Sequence, residues 1–164
     1  MGAFLVVAAV LALGASPTSV QPCVATQLTG SFKVIYGSAG AGNISYRLRL
    51  RNRSSRTCFV SGLPGLRLLG KRGRTLPTKV VPAFRPGLTA VRVVLRPGRA
   101  AKAEARFSPD VPGVGETATG PCEPTAYRVR VTVPPAGSKL VAPVIPPTPV
   151  CEHGGMALSV LSAA

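Results

Sequence analysis

The chain has few of the residues on which most enzyme and metal sites depend. Of its 164 residues only five are Asp or Glu, one is His and none is Trp. General acid–base catalysis and metal binding need carboxylates and imidazoles that can be brought together. The scarcity of these groups predicts a protein with no enzymatic activity, no cofactor and no metal site.

The single histidine leaves one alternative open. His153 lies two residues after Cys151, with Glu152 between them. An extracytoplasmic enzyme with an unrecognised site near His153 would need a nucleophile, a base and an orienting acid. The remaining carboxylates are scattered through predicted loops or solvent-facing positions, which disfavours that alternative: Glu104, Asp110, Glu116 and Glu123.

No hydrophobic run is long enough to span a membrane as a helix. The longest, residues 3–13, has eleven apolar residues followed by small ones, whereas a span needs about 20. This pattern predicts a signal peptide over residues 1–19, and a single domain over residues 20–164. Residues 140–150 are uncharged, but their four prolines exclude a continuous helix. The predicted mature protein has no transmembrane segment and is secreted, either free or held at the cell envelope.

Cysteine usage agrees with export. The chain has four cysteines, Cys23, Cys58, Cys122 and Cys151, and none forms a C-x-x-C pair. An even number of cysteines in a short exported domain predicts two disulfide bonds. Of the three possible connectivities, Cys23 with Cys58 and Cys122 with Cys151 is favoured because each bond lies within one half of the chain.

The hydrophobic pattern after residue 20 is that of strands. Residues 46–51 alternate apolar and charged side chains, and residues 91–93, 101–107 and 127–133 repeat the alternation. Turn residues such as Gly62-Leu63-Pro64-Gly65 separate these segments. Eight or nine short strands of this kind predict an all-β fold, a two-layer antiparallel β-sandwich of immunoglobulin-like architecture. The other strand candidates are residues 27–36, 57–60, 66–69, 139–142 and 156–161.

Several short motifs follow one another in a recognisable order. They include Gly37-x-Ala39-Gly40, Asn52-x-Ser54, Thr57-Cys58, Gly62-x-Pro64-Gly65 and Leu95-x-Pro97-Gly98. In this layout the chain resembles the bacterial family called domain of unknown function 4232. The resemblance covers nearly all of the predicted mature chain, and the run from Asn52 to Gly65 is its most specific part. It implies a secreted or lipid-anchored, actinobacterial type of protein with paired cysteines and no transferable catalytic residues.

Most of the charged residues in the sequence are positive. Lys and Arg number 20, and the formal net charge is +15. Residues two apart on a strand share a face, so Arg47, Arg49 and Arg51 are predicted to form a row, extended by Arg53 at the turn. Neighbouring strands are expected to add Arg92, Arg128 and Arg130.

The basic row suggests a partner of opposite charge. Tyr46 and Tyr127 are in phase with inward-facing residues, so the aromatic platforms of single-strand nucleic-acid binders are not expected, nor is specific nucleic-acid binding. The expected function is that of a secreted, non-catalytic cell-envelope or extracellular module. Its expected partners are an anionic cell-wall polymer, a lipid headgroup or an acidic protein. The competing interpretation of the row is a solvated surface that keeps the sheet soluble.

Overall fold

The fold is known from a computed structural model that describes residues 19–83 and 90–164. The predicted signal peptide, apart from Ser19, lies outside the described residues. Among them, no helix is long and apolar enough to cross a membrane. The strands, in chain order, are β1 (Gln21–Pro22), β2 (Leu28–Val34), β3 (Ile44–Asn52), β4 (Cys58–Val60), β5 (Gly65–Leu69), β6 (Lys79–Pro82), β7 (Val93–Leu95), β8 (Ala100–Phe107), β9 (Ala126–Val133), β10 (Ser138–Thr148), β11 (Gly155–Leu158) and β12 (Ser162–Ala163).

The strands pack in layers, as the alternating patterns predicted. The larger sheet has the strand order β5-β9-β10-β2-β3-β8-β11-β6, with β12 also paired to β8, and the smaller sheet has the order β1-β4-β7. Most pairs are antiparallel, whereas β1–β4, β10–β2 and β11–β6 are parallel. Inward-facing positions of β2 and β10 lie close together: a Cβ added to Gly30 would lie 2.7 Å from Cδ1 of Leu140.

The core is built from the apolar half of each alternating pattern. On β3, Tyr46, Leu48 and Leu50 are buried while the intervening arginines are exposed. Phe32 and Phe107 lie on either side of Tyr46, each with its ring centroid 5.2 Å from that of the tyrosine. Burial of this apolar surface supplies the main free energy of folding.

Tyr127 departs from its predicted inward position. Its residue is 38% exposed, whereas its neighbour Ala126 is completely buried. Arg128 pairs with Pro143 of β10, but Ala126 pairs with Thr148. The register therefore shifts at Tyr127, and the alternation of buried and exposed residues is interrupted there. The prediction that both tyrosines face inward is therefore right for Tyr46 and wrong for Tyr127.

Strand β10 is longer than its predicted core of residues 139–142. It pairs with β9 through Pro143 and then with β2 at Val144 and Ile145. Because proline lacks an N–H donor, it is tolerated where a strand does not donate to its neighbour. The prolines that exclude a helix here are thus compatible with a strand that changes partners.

Both disulfide bonds have the connectivity favoured from the sequence. Cys23 pairs with Cys58, with a Cα–Cα distance of 4.9 Å, and Cys122 pairs with Cys151 at 5.5 Å. The first bond lies beside the smaller sheet. The second ties the loop between β8 and β9 to the turn that follows β10.

Candidate functional site

The outer surface of β2, β3 and β8 carries a concentration of positive charge. Register places Arg47 between Lys33 of β2 and Glu104 of β8, and places Arg49 between Ser31 and Lys102. These side chains alternate with the buried residues of the same strands, so all point away from the core. We call this surface the basic face; its cations are Lys33, Arg47, Arg49, Arg51, Lys102 and Arg106.

One carboxylate opposes these six cations on the three strands. Glu104 accepts a 2.9 Å ion pair from Arg47. Arg51 donates through Nε to the carbonyl of Gly98 at 3.0 Å. Arg49 and Lys102 lie directly opposite each other, and both are cations. Within the described part of the chain, neither side chain forms a hydrogen bond or an ion pair. Their charges are therefore available to an external anion.

A shallow groove of about 470 Å³ lies beside this surface. Strand β8 pairs with β11 at one end and with β12 at the other, and the chain between those strands leaves the ladder. Ser159 keeps a contact there, because its hydroxyl accepts from the backbone N–H of Glu104 at 2.9 Å. The polar lining comes from Ser45, Lys102, Glu104, Arg106, Ser159 and Ser162.

The structure brings together only part of the predicted arginine row. Arg47, Arg49 and Arg51 share one side of β3, and Arg53 follows them with its Nε donating to the carbonyl of Thr26 at 3.2 Å. Lys33, Lys102 and Arg106 join them on the neighbouring strands. The sequence pattern did not predict that these three cations lie beside the row on β3, although Lys102 and Arg106 belong to an alternating segment that it does predict as a strand.

The expectation that neighbouring strands add three more arginines is wrong. Arg128 and Arg130 lie on β9, whose neighbours are β5 and β10. Within this sheet β10 and β2 separate β9 from β3, so the arginines of β9 are not neighbours of the row on β3. Arg92 precedes β7 and covers the ring of Phe59, with Cζ 3.9 Å from the centroid. The alternation of apolar and charged residues predicts which face of a strand a side chain occupies, but it does not predict which strand lies next to it.

A second cluster forms around the histidine. Residues Cys151–Gly154 make one turn after β10, in which Glu152 and His153 have positive φ angles of 56° and 55°. Such angles are uncommon for residues other than glycine. The carboxylate of Glu116 compensates by accepting the backbone N–H groups of Glu152, at 2.9 Å, and of His153. It also accepts the N–H of Gly113 at 2.6 Å, which closes its own loop.

The electrostatics of the cluster keep Glu116 ionised. Burial raises the pKa of Glu116, but the backbone N–H groups of His153, Gly113 and Glu152 stabilise its anion and lower the pKa to about 2. The pKa of His153 is raised, first by its hydrogen bond to the carbonyl of Val114 and then by the nearby carboxylates of Glu116 and Glu123. Nδ1 of His153 lies 3.5 Å from a carboxylate oxygen of each glutamate.

Comparison with protein families identifies the layout of the whole domain. The model of a family described as "Domain of unknown function (DUF4232)" matches residues 23–160. The chain belongs to this family. The match begins at the first disulfide cysteine of this DUF4232 domain and covers every strand from β2 to β11. Comparisons with curated proteins and with solved structures gave no match.

The Glu116–His153 contacts make the stability of the DUF4232 domain depend on pH. A carboxyl group whose pKa is lowered by folding stabilises the fold above its ordinary value of 4.5, and this contribution disappears as the pH falls to about 2. An imidazole whose pKa is raised by folding contributes fully below its ordinary value of 6.5, and its contribution is lost as the pH rises through the raised value. The two contributions are therefore both present between about pH 4.5 and 6.5.

We expect Glu116→Gln to remove much of the acid sensitivity. Urea denaturation midpoints measured from pH 2 to pH 7 should fall steeply below pH 4.5 for the parent and less steeply for the variant. Asp110→Asn is the matched control, since Asp110 is an exposed carboxylate of the same loop. Parallel curves for the parent and Glu116→Gln would contradict the assigned role.

Proposed function

We propose that this protein is a secreted, non-catalytic binding module of the cell envelope or extracellular space, which holds anionic polymers or lipid headgroups on its basic face. The observation that carries the proposal is the ratio of six cations to one carboxylate on β2, β3 and β8. Like charges at this density repel one another unless an anion lies among them. A ligand with repeated phosphate or carboxylate groups supplies such anions.

The chemistry of the basic face suits oxyanions. The guanidinium group presents paired N–H donors that match two oxygens of a phosphate or carboxylate. Successive outward residues lie about 7 Å apart along a strand, and neighbouring strands about 4.8 Å apart, so charges repeat in two directions. A flat array of this kind favours a repeating ligand over a single small molecule. The groove beside Lys102 and Arg106 adds serine hydroxyls that can bind polar groups between the charges.

Two features support an extracytoplasmic location. Both disulfide bonds are of a kind that persists in oxidising compartments, and the hydrophobic residues 3–13 are typical of a signal peptide. The catalytic alternative near His153 has less support. Glu116, the most buried carboxylate of that cluster, is held ionised by three backbone N–H groups, so it is a weak base and has no proton to donate.

The decisive experiment removes charge from one group of strands at a time. The first triple variant combines Lys33→Gln, Arg49→Gln and Lys102→Gln, which spares the Arg47–Glu104 ion pair. The control triple combines Arg67→Gln, Arg128→Gln and Arg130→Gln, an equal loss of charge on β5 and β9. Binding to phosphatidylglycerol vesicles and to soluble polyphosphate is measured at 50 and 300 mM NaCl.

We expect the first triple to bind about 100-fold more weakly, since each cation near an anionic surface contributes about 1 kcal/mol. The control triple should bind nearly as well as the parent, and all binding should weaken at high salt. Loss with vesicles alone identifies a lipid surface, and loss with both ligands identifies a polyanion in general. Equal losses in the two triples, or no binding by the parent at 50 mM NaCl, would leave only a solubilising role for the charge.

A further inference from the structure

The corner around His153 collects a large share of the scarce acidic groups. Three of the five carboxylates in the chain, together with its one histidine, lie there: Glu116 and Glu123 in the loop between β8 and β9, and Glu152 beside His153 in the turn after β10. Neither Glu116 nor Glu123 forms an ion pair with a lysine or arginine of the described residues. In a chain with 20 basic residues, this separation of charge is unexpected for a merely solvated loop.

The imidazole is oriented so that its other nitrogen faces the two carboxylates. Nε2 of His153 lies 3.1 Å from the carbonyl oxygen of Val114. A carbonyl oxygen only accepts, so Nε2 carries the proton of this hydrogen bond, and in neutral imidazole Nδ1 then carries a lone pair. Metal-binding histidines have this arrangement, because a backbone carbonyl commonly accepts the N–H of the nitrogen that is not a ligand.

Two distances within the cluster match those between ligands of one cation. Nδ1 of His153 lies 3.5 Å from an oxygen of Glu116 and 3.5 Å from an oxygen of Glu123, longer than an ordinary N–H···O hydrogen bond. Ligands bound tetrahedrally at about 2.0–2.2 Å lie about 3.3–3.6 Å from each other. The three donor atoms all fall within 4.8 Å of one another, close enough for one ion to contact all three.

We propose that His153, Glu116 and Glu123 form a binding site for a divalent cation of the zinc type, with one position left for water. One imidazole nitrogen and two carboxylate oxygens are ligands that Zn²⁺ accepts in tetrahedral sites. Cys122 and Cys151 lie beside the site, but their sulfurs form a disulfide bond and are not ligands. This proposal departs from the expectation from composition that the protein has no metal site.

The site is prepared for binding by contacts outside its three ligands. Backbone N–H groups of Gly113 and Glu152 hold the Glu116 carboxylate in place, and Val114 holds the imidazole. The Cys122–Cys151 bond fixes the loop that carries Glu123 to the turn that carries His153. A bound cation joins the same two segments, so it should stabilise the folded state over the unfolded one.

The test measures zinc binding by the full mature chain with its disulfide bonds intact. The protein is treated with EDTA, dialysed, and titrated with ZnCl₂ by calorimetry, and its melting temperature is recorded with and without Zn²⁺. Glu123→Gln and His153→Gln are the test variants. Glu116 is left unchanged because its loss also removes the backbone contacts of the turn. Glu104→Gln is the matched control, since it removes the same charge outside the cluster.

We expect one Zn²⁺ per parent chain, with at least a tenfold weaker Kd for Glu123→Gln and for His153→Gln. The Glu104→Gln variant should bind like the parent, and Mg²⁺ at the same concentration should not compete. Zinc should raise the melting temperature of the parent and of Glu104→Gln but not of the two test variants. If the parent binds no zinc, or if Glu104→Gln weakens binding as much as Glu123→Gln, the proposal is wrong.

Discussion

Replacing Gly154 with alanine should lower the free energy of unfolding by about 3–5 kcal/mol, the largest effect we expect from a single methyl group in this protein. Gly154 has a φ of +75° at the end of the turn that carries His153. An added Cβ would overlap the carbonyl oxygen of Pro77 and lie 2.8 Å from Cα of Thr78. Both neighbours are backbone atoms leading into β6, so no side-chain rotation relieves the overlap.

Gly137→Ala is the matched control for this substitution. Gly137 has a similar φ of +70°, but no heavy atom lies within 4 Å of its added Cβ. The control therefore isolates the cost of the left-handed backbone, about 1–2 kcal/mol. Urea denaturation of both variants with disulfides intact measures the difference. Equal losses of stability would mean that the chain around Pro77 shifts easily, and that packing of the turn against β6 is not tight.

Replacing Asn52 with alanine should cost about 3 kcal/mol of folding free energy. The Asn52 side chain is fully buried at the end of β3, and its amide donates to the carbonyls of Arg56, at 2.7 Å, and of Leu95, at 2.8 Å. Its oxygen accepts from the backbone N–H and the hydroxyl of Ser54. Removing the amide leaves the carbonyls without these donors, and a buried polar group without a partner costs about 1–3 kcal/mol.

The hydrogen bond from Asn52 to the carbonyl of Leu95 joins the two sheets, because Leu95 belongs to β7 of the smaller sheet and Asn52 to β3 of the larger sheet. Thermal unfolding of the Asn52→Ala variant, followed by circular dichroism, should show one transition at a lower melting temperature, because both sheets lose this contact together. Asn43→Ala is the control: the Asn43 amide makes one exposed hydrogen bond, to Ala41, and its loss should cost about 0.5 kcal/mol. Similar melting temperatures for the two variants would contradict a joining role for Asn52.

Many of these local features were predictable. The backbone N–H and the hydroxyl of Ser54 donate to the side-chain oxygen of Asn52, a local contact of the kind that Asn commonly makes in turns. The exposed positions of Arg47, Arg49 and Arg51 follow from the alternation on β3. Gly62, one of the turn residues recognised in the sequence, has the positive φ of 98° that glycine accepts readily. In each case the interactions that decide the outcome lie within a few residues.

The short strands β1, β6 and β12 were not predicted. Each has two to four residues. Each forms by hydrogen bonding to the edge of another strand: β1 to β4, β6 to β11 and β12 to β8. A segment of two residues has no period that a sequence could reveal. The pairing also runs parallel for β1 and β6, which joins segments distant in the chain. Such strands depend on the partner that the rest of the fold provides.

The sequence by itself determined the all-β class, the inward and outward faces of the main strands and the preferred pairing of the cysteines, because periodicity and spacing are properties of the local chain. Only the tertiary structure decided that Lys33, Lys102 and Arg106 join the arginines of β3, and that Arg128 and Arg130 do not. It alone brought Glu116 and Glu123 to His153, across a strand hairpin and a disulfide bond. The physical reason is that neighbours across a sheet or a turn are chosen by the packing of the whole core, which no short stretch of sequence contains.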